Sequence, residues 1–531
     1  MEVTCLKQIT WHDLQHIIDL QHIIKDGDVI GLPALAVANL PAEVLRAVLA
    51  QHDTYHTPND LTFILANDIH SLGVAPDLDD FIERRMIKRV IMSILTASSK
   101  TAQAMKNNDI EAYFLPQGII ATHYRQSNQL LPGVITKIGL NTAVDPRYGG
   151  GKVNTRTTDD LVSLVTIDDE TYLHYTFPSV DVALLRGTYA DQQGNIYLTQ
   201  ESYLSECYHV ALNAKANHGK VIVQVKDLVD EYQLNPNEVV IPGNLVDYVY
   251  VTEDEKNHRQ VIQSHYLPAL SGEERIDGIP EPALPFNSRK LILRRAAQFL
   301  TYGDTISIGY GINNELSNLL HEECVEHDVQ PILDVGIFGG FVGSREHFGM
   351  NYNADVRMPH DRAWDFIYNN GVSVAYLSFA EVDQYGNVNV SYFNDRLNGC
   401  GGFIDITQSV NKIIFSGTFV AGSHVSCHNQ RLNIETEGQN QKFVSDVSHI
   451  DFNAQYSQSL EQEVYFVTDR AVFELTNQGL KLIEIAPGLD LHKDILNQMA
   501  FKPIIADHLK LIDTSIYKEK WGELKHSIHK V

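Results

Sequence analysis

A single carboxylate at the end of an apolar segment is the most chemically suggestive feature of the sequence. Asp334 follows Pro331-Ile-Leu and precedes a turn that contains Gly336, Gly339 and Gly340. Apolar residues followed by a glycine-rich turn predict a buried strand of a parallel sheet with Asp334 at its carboxyl end. Ligands of open α/β sheets bind at that edge. An Asp there can also simply cap the turn, and this segment alone leaves both readings open.

Two glycine-rich segments flank this carboxylate in the sequence. Gly309-Tyr-Gly311 lies between a predicted strand and a predicted helix, and Asn398-Gly-Cys-Gly401-Gly402 lies beside a predicted hairpin. Glycine lets the backbone approach a ligand closely, and N–H groups in such loops can bind a phosphate or an oxyanion. Tight packing of a loop without a ligand explains the same residues equally well.

Composition and charge exclude several classes of function. The 531 residues are 44% hydrophobic and 20% charged, which is typical of a globular protein of two or three domains. The net charge of −26 makes nucleic acid and anionic membranes unlikely partners. The five cysteines are far apart, and the amino terminus does not resemble a signal peptide. We therefore expect a cytoplasmic protein without a membrane segment.

Other common catalytic motifs are missing. The sequence contains no Gly-x-Ser-x-Gly elbow, no His-Glu-x-x-His pair and no P-loop. His424, Cys427 and His428 form the single cluster of His and Cys, and their spacing does not match a known metal motif. We expect no metal site.

Two signals occur twice and indicate an internal duplication. Gly27-Asp28 recurs as Gly303-Asp304 before a predicted strand, and the Asp-x-x-Gly-Asn block at 191–195 recurs at 383–387. Both blocks are typical of hairpin turns, in which Gly and Asn supply positive φ. The spacing between the two signals is roughly 80 residues longer in the first copy, which predicts an insertion there.

The duplication predicts an α/β protein of two similar domains. The amino-terminal domain, with the inserted segment, comprises residues 1–270. Residues 271–288 contain several prolines and are predicted to be a linker. The carboxy-terminal domain comprises residues 289–531, begins with an amphipathic helix and carries Asp334.

Seven motifs give the sequence a specific resemblance that covers nearly its whole length. They are Leu115-Pro-Gln-Gly118, Val144-Asp-Pro-Arg147, Asn154-Thr-Arg-Thr-Thr158, Asp181-Val-Ala-Leu-Leu-Arg-Gly187, Val382-Asp-Gln-Tyr-Gly-Asn-Val-Asn-Val390, Gly399-Cys-Gly-Gly-Phe403 and Phe415-Ser-Gly-Thr-Phe419. With these motifs the chain resembles a family I coenzyme A transferase of the single-chain acetate/propionate or 3-oxoacid type. The resemblance implies two CoA-transferase-like domains.

The resemblance also implies a mechanism and a set of site residues. In that family a glutamate attacks the acyl-CoA thioester, and an enzyme–CoA thioester then forms and is resolved by an acceptor acid. The glutamate falls at Asp334 here. By resemblance Gly309, Gly311, Asn398, Gly401 and Gly402 bind CoA or its thioester. Gln117 contacts the acyl or carboxylate end of the substrate.

The implied partners are acyl-CoA and short-chain carboxylates. CoA is a substrate, so the resemblance implies no tightly bound cofactor. It also implies a homodimer or homotetramer and a place in short-chain fatty acid or ketone body metabolism.

The chain departs from the family pattern at two places. Asp334 is one methylene shorter than the glutamate, and Pro33-Ala34 replaces a small Gly-Gly turn, so that proline removes a backbone donor. A shorter side chain leaves room for a water molecule, with Asp334 as the general base of an acyl-CoA hydrolase. A CoA-binding homologue with impaired catalysis is the third alternative.

Overall fold

The main sheet of the first half of the chain is mostly parallel. The computed structural model describes residues 7–9, 22–128, 130–230, 235–278, 281–343, 347 and 349–529. The strands are β1 (Lys7–Ile9), β2 (Val29–Gly31), β3 (Leu61–Leu65), β4 (Ile87–Met92), β5 (Glu111–Phe114), β6 (Val182–Asp191), β7 (Ile196–Tyr197), β8 (Lys220–Val229), β9 (Val239–Ile241) and β10 (Tyr248–Val251). Their order is β1-β10-β8-β6-β2-β3-β4-β5, and β7 pairs with β6 and β9.

The second half repeats this parallel core and extends it with strands that are antiparallel to their neighbours, except that β20 is parallel to β19. Its strands are β11 (Thr305–Ile308), β12 (Gln330–Leu333), β13 (Ile337–Phe338), β14 (Val356–Arg357), β15 (Val374–Ser378), β16 (Lys412–Ser416), β17 (Glu463–Val467), β18 (Ala471–Thr476), β19 (Gly479–Ile485) and β20 (Ile504–Leu511). Their order is β14-β13-β12-β11-β15-β16-β17-β18-β19-β20. Strands β12, β11, β15, β16 and β17 are parallel to their neighbours in this series.

Helices connect the parallel strands in both halves. They are α1 (Ala42–Tyr55), α2 (Leu78–Glu83), α3 (Ser99–Lys106), α4 (Gln117–Gln126), α5 (Cys207–Ala216), α6 (Pro268–Ser271), α7 (Ser288–Ala297), α8 (Leu316–Glu322), α9 (His360–Tyr368), α10 (Phe403–Thr407), α11 (Ala454–Ser459) and α12 (Leu524–Ile528). The predicted amphipathic helix at residue 289 is α7. Asn287 caps it, because its side-chain oxygen accepts a hydrogen bond from the Lys290 N–H. Across the described residues, no helix combines the length and apolar character needed to cross a membrane.

The duplicated signals form the same structure twice. In the first half the Asp191 carboxylate accepts hydrogen bonds from the backbone N–H groups of residues 193 and 195 and from the Asn195 amide. In the second half Asp383 accepts the three equivalent bonds from residue 385 and from Asn387. Both blocks are hairpin turns, as predicted. Glycine supplies the positive φ in each, whereas the two asparagines have ordinary φ and act through their side chains.

The longer first half carries an additional small sheet. Strands Val134–Thr136, Glu170–Tyr175 and Val162–Ile167 form an antiparallel sheet between α4 and β6. It has no counterpart between β11 and β15 in the described part of the second half. The fold is therefore the predicted α/β arrangement of two similar units, one of which contains an insertion.

The two halves are packed directly against each other. The largest apolar cluster contains Ile119 and Leu185 of the first half together with Trp364 and Phe415 of the second. Arg125 of α4 forms an ion pair with Asp365 of α9 across the same boundary. A group at the carboxyl end of β12 can therefore lie next to residues of the first half.

Candidate active site

Asp334 lies at the carboxyl end of a parallel strand. Strand β12 is parallel to β11 and ends at Leu333, so the predicted buried strand is confirmed. The chain then turns back into β13, because the Gly336 N–H donates to the carbonyl of Leu333 at 3.0 Å. Gly336 has a φ of +94°, which glycine adopts without strain. This turn projects the Asp334 side chain beyond the edge of the sheet.

The Asp334 carboxylate lies against Gly402. A Cβ added at Gly402 would be 2.5 Å from Asp334 Oδ2 and 2.7 Å from the Trp364 ring, so only glycine fits at this position. Asp334 is partly accessible to solvent. Within the described residues it receives no hydrogen bond from another side chain. Its oxygens are therefore available to react.

The surroundings of Asp334 favour a carboxylate of raised basicity. Burial raises the pKa of Asp334 above its usual range, while His360 and the backbone N–H groups of residues 334 and 335 oppose this shift. A carboxylate that is poorly solvated and lacks donors is a better nucleophile than one at the surface. The geometry therefore suits either attack on a carbonyl or removal of a proton.

The loop that contains Gly402 is attached to the first half by backbone hydrogen bonds. The carbonyl of Asn398 accepts from Leu95 at 2.7 Å, and Gly401 N–H donates to the carbonyl of Ser93 at 2.9 Å. The carbonyl of Gly401 accepts from the N–H of Gln117 at 3.0 Å. Both backbone groups of Gly401 are thus used within the protein. This loop brings Asp334 to the first half.

Gly309 and Gly311 lie at the same edge of the second sheet. Ser307 pairs with Ile332 in the β11–β12 register, which places Gly309 level with Asp334. A Cβ at Gly309 would be 2.7 Å from the Leu377 side chain. At Gly311, whose φ is +114°, a Cβ would be 2.4 Å from the oxygen of Ser378. Packing against β15 therefore accounts for both glycines, and their binding of CoA stays a prediction.

Gln117 and His360 meet beside Asp334. Gln117 is the first residue of α4, and His360 is the first residue of α9. Each follows a proline in extended conformation, which ends the preceding segment and allows a helix to begin. Gln117 Nε2 is 3.1 Å from His360 Nε2, and the Trp364 indole N–H donates to the same His360 nitrogen at 3.0 Å. All three residues are buried.

Three further buried side chains complete a closed ring of hydrogen bonds. Gln117 Nε2 donates to Asn67 Oδ1 at 3.0 Å, and Asn67 Nδ2 donates to the Tyr203 hydroxyl at 3.3 Å. Tyr203 donates to Glu206 Oε2 at 3.1 Å. The same Glu206 oxygen is 3.0 Å from His360 Nδ1. We call these five residues, Asn67, Gln117, Tyr203, Glu206 and His360, the polar ring.

The sequence analysis identified one member of the polar ring, Gln117, and missed the other four. Pro359-His360 repeats the local pattern of Pro116-Gln117, a polar side chain directly after a proline at a helix start. That repetition is the sequence signal that could have identified His360. Tyr203 and Glu206 carry no comparable signal, because their roles depend on contacts with the other half of the chain.

A second buried acid lies near Asp334. Asp405 of α10 accepts a hydrogen bond from the Tyr368 hydroxyl at 2.7 Å and another from the Gly118 N–H at 3.2 Å. Burial raises the pKa of Asp405 to about 7, and the charge of Asp334 contributes to the same shift. Asp405 thereby joins α10 to the start of α4, where Gln117 lies.

The turn of the first half that departs from the family pattern offers no free backbone donor at its centre. Pro33 has no N–H, and the N–H of Ala34 donates to the carbonyl of Leu32 at 3.0 Å. The loss of a donor that the sequence indicated here is therefore confirmed.

The described residues contain no group of three or more His, Cys, Asp or Glu side chains arranged to bind a metal ion. A carboxylate without a side-chain partner, at the boundary of two halves, suits covalent catalysis on an activated acyl group.

Comparison with known proteins agrees with this geometry. The family model described as coenzyme A transferase matches residues 15–252. The caffeate CoA-transferase of Acetobacterium woodii is 38% identical over 515 residues, which are 94% of this chain and 97% of that protein. The acetate CoA-transferase YdiF of Escherichia coli K12 is 35% identical over 478 residues, 89% of each chain.

The crystal structure of acyl-CoA transferase YdiF from E. coli O157:H7, a thioester complex with CoA, superimposes with a TM-score of 0.89 at 31% identity. The match covers 98% of this chain and 97% of that one. The apoenzyme of the same protein also matches with a TM-score of 0.89. The identity over nearly the full length, together with the shared fold, places this chain in the coenzyme A transferase family.

Proposed function

We propose that the protein transfers coenzyme A from a short-chain acyl-CoA to a carboxylic acid, with Asp334 as the covalent nucleophile. The observation that carries this proposal is the position of Asp334 at the boundary of the two halves, where it is partly buried and receives no side-chain hydrogen bond from the described residues. The YdiF structure, solved as a CoA thioester complex, supports a covalent route in a relative of the same fold.

The reaction proceeds through two intermediates on Asp334. One carboxylate oxygen attacks the acyl-CoA carbonyl, the C–S bond breaks, and the CoA thiolate leaves an acyl–aspartyl anhydride. The thiolate then attacks the Asp334 carbonyl and releases the first acid, which forms an aspartyl–CoA thioester. The acceptor carboxylate attacks this thioester, and the same two steps in reverse give the new acyl-CoA and free Asp334.

Transfer is favoured over hydrolysis and over binding without turnover. The relatives that match nearly the whole chain bear the names of CoA-transferases. Hydrolysis also requires a water molecule held beside the general base. Release of free CoA in the absence of an acceptor acid would reveal such a water.

We assign the remaining site residues by their positions around Asp334. Gly402 leaves room for the Asp334 carboxylate because it has no side chain, and Gln117 of the first half faces the acyl group. The predicted contacts of CoA or its thioester are with Gly309, Gly311, Asn398 and Gly401, and for Gly401 the contact has to be through its Cα because both backbone groups are used.

Several further features belong to the proposal. The two domains comprise residues 1–270 and 289–531, and residues 271–288 are the linker between them. The protein assembles as a homodimer or homotetramer. It acts in the cytoplasm. The acyl groups are those of short-chain fatty acid or ketone body metabolism. The name of the Acetobacterium relative adds caffeate as an acid to be tested.

Intact-protein mass spectrometry after incubation with acetyl-CoA tests the proposal directly. We expect a covalent CoA adduct, and peptide mapping after borohydride treatment should locate it at Asp334. The adduct should disappear when a carboxylic acid is added. Release of free CoA without an adduct or an acceptor would instead establish the hydrolase, and no reaction with any acyl chain would refute catalysis.

A further inference from the structure

The direction of every hydrogen bond in the polar ring follows from two residues. The indole N–H of Trp364 can only donate, and the Glu206 carboxylate can only accept when it is ionised. Trp364 donates to His360 Nε2, so this nitrogen is an acceptor and the imidazole proton resides on Nδ1, where it points to Glu206. This hydrogen bond defines the tautomer of His360, while burial opposes the charged form and the carboxylates of Glu206 and Asp334 outweigh it and raise the pKa of the imidazole above the usual range.

The tautomer of His360 determines the orientation of the Gln117 amide. Nε2 presents a lone pair and no hydrogen, so an amide oxygen at 3.1 Å would be repelled, and the Gln117 atom that faces His360 is the NH2 group. The second hydrogen of this group points to Asn67 Oδ1 at 3.0 Å. The rest of the polar ring agrees with this direction, because Asn67 donates to Tyr203 and Tyr203 donates to Glu206. Both hydrogens of the Gln117 amide are therefore used inside the protein.

The carbonyl oxygen of Gln117 is the group that remains for a substrate. Gln117 Oε1 has no hydrogen-bond partner in the part of the chain that the structure describes. It is 3.8 Å from the position of a Cβ at Gly401, and the adjacent Gly402 contacts Asp334 Oδ2. The wall beside the nucleophile consequently presents a hydrogen-bond acceptor, and the polar ring prevents the amide from rotating to present a donor.

We propose that Gln117 Oε1 selects acyl groups that carry a hydroxyl, so that hydroxy acids are preferred over unsubstituted acids of the same length. A hydroxyl can donate to the amide oxygen, whereas a methyl or methylene group covers that acceptor without pairing it. A second carboxylate at the same place would face the amide oxygen without a proton to share, so dicarboxylic acids are disfavoured. This inference rests on the proposed transferase function.

The expected selectivity is moderate. A hydrogen bond between neutral groups changes an equilibrium or a rate by roughly three- to tenfold once its desolvation is included. We therefore expect the specificity constant for lactoyl-CoA to exceed that for propionyl-CoA by about fivefold. The specificity constant for 3-hydroxybutyryl-CoA, whose hydroxyl is one carbon further from the thioester, should likewise exceed that for butyryl-CoA. Succinyl-CoA should react more slowly than butyryl-CoA.

The test is the rate at which each of these five acyl-CoA esters forms the enzyme–CoA thioester in a single turnover. The comparison is made between the wild-type protein and Gln117→Met, which has nearly the same volume but no acceptor. Gln117→Met should reduce the hydroxy-to-unsubstituted ratio to about one. Gln408→Met is the matched control, since Gln408 also bridges the halves through its amide, to Gly139 and Leu140, and should keep the wild-type ratio.

A second variant tests the role of the polar ring as a positioning device. Trp364→Phe removes the indole donor but keeps an aromatic ring against Gly402. His360 can then carry a proton on Nε2 and donate to the Gln117 amide oxygen, in competition with the orientation that Asn67 imposes. The ratio should fall and the discrimination against succinyl-CoA should weaken. A purely structural role of Trp364 would lower all five rates equally.

The outcomes separate this inference from the proposed function. Absence of a thioester with all five esters in the wild-type protein would refute the transferase itself. Thioester formation with hydroxy-to-unsubstituted ratios near one, or ratios that Gln117→Met leaves unchanged, would refute the selection by Gln117 alone.

Discussion

Matching strands of the two halves end in different residues. In the first half Val29 pairs with Thr62, and in the second half Thr305 pairs with Gln330, so β3 and β12 occupy equivalent positions. Counted along these registers, the equivalent of Asp334 is Ala66. The first half thus has a small apolar side chain where the second half has the candidate nucleophile.

The two copies of the duplicated fold therefore contribute different kinds of group to the site. The first half contributes polar groups that do not react, Asn67 and Gln117, from the ends of its strands. The second half contributes Asp334 and the glycine loop that contacts it. Because the two edges face each other across one boundary, a single site needs both. Changes at equivalent positions should therefore have unequal effects on activity.

The largest effect is expected when the second half is made to resemble the first. Asp334→Ala removes the nucleophile and should lower the rate of CoA transfer by on the order of 10⁴-fold or more, without an adduct in the mass spectrum. The fold should persist, because Ala66 occupies the equivalent position in the first half. Asp334→Glu keeps a carboxylate and should still form the adduct, at a rate changed by up to roughly 10²-fold. An adduct on Asp334→Ala would place the nucleophile elsewhere.

A smaller effect is expected from the glycine that contacts the carboxylate. In Gly402→Ala the new methyl would meet Asp334 Oδ2 at 2.5 Å, so the carboxylate has to move. We expect thioester formation to slow by roughly 10²-fold, since displacement of a reacting group by about 1 Å has that consequence.

Gly303→Ala and Gly27→Ala are the controls for this change, one in each half. At both positions the added Cβ would have no neighbour within 4 Å, and both glycines have positive φ. They should lower the stability by about 1 to 2 kcal/mol without altering the rate. A wild-type rate in Gly402→Ala would contradict the contact with Asp334.

The buried acid at the boundary of the halves should make the stability depend on pH. The pKa of Asp405 is about 7 in the folded protein and about 3.8 when exposed. The protonated form is favoured by folding, so its contribution is complete below pH 3.8 and is lost as the pH rises through 7. The loss is roughly 1 kcal/mol per pH unit between these values.

Asp405→Asn removes this titration and keeps the hydrogen-bonding geometry towards Tyr368 and Gly118. The melting temperature of the variant relative to the wild type should therefore increase steadily from pH 5 to pH 7.5. Differential scanning fluorimetry across this range measures it. Parallel pH profiles of the two proteins would show that Asp405 is ionised in the folded state throughout.

The smallest difference is expected between the two duplicated turns. Asp191→Ala and Asp383→Ala each remove a carboxylate that accepts the three hydrogen bonds of its turn. Asp191 also accepts one from the Tyr197 hydroxyl at 3.3 Å. Each substitution should lower the stability by about 2 kcal/mol. The two losses should agree within about 1 kcal/mol, as measured by chemical denaturation. A much larger loss in one variant would show that the turns have diverged in their structural roles.

Local features of the fold could be predicted from the sequence because their causes are local. Three apolar residues before Asp334 and a glycine turn after it are sufficient for a buried strand that ends in a reversal. The Asp-x-x-Gly-Asn blocks contain all the atoms of their own hydrogen bonds. The family motifs then supplied the arrangement of the two units, which periodicity alone does not give.

The surroundings of the candidate nucleophile were decided by the tertiary structure. The members of the polar ring come from four separate segments of the chain, and none of the contacts between Gln117, His360 and Glu206 is visible in a local pattern. Such contacts also bear on the predicted contact between Gly401 and CoA. The Gly401 N–H donates to the Ser93 carbonyl and its own carbonyl accepts from the Gln117 N–H, so neither backbone group is left for the ligand.

The sequence by itself determined the chemical type of the reacting group, a carboxylate at a strand end, and the duplication of the unit that carries it. The tertiary structure alone decided which groups face that carboxylate and with which polarity. The physical reason is that a hydrogen bond has a direction. The direction of the Gln117 amide depends on His360, Trp364 and Glu206, which come near it only when both halves have folded together.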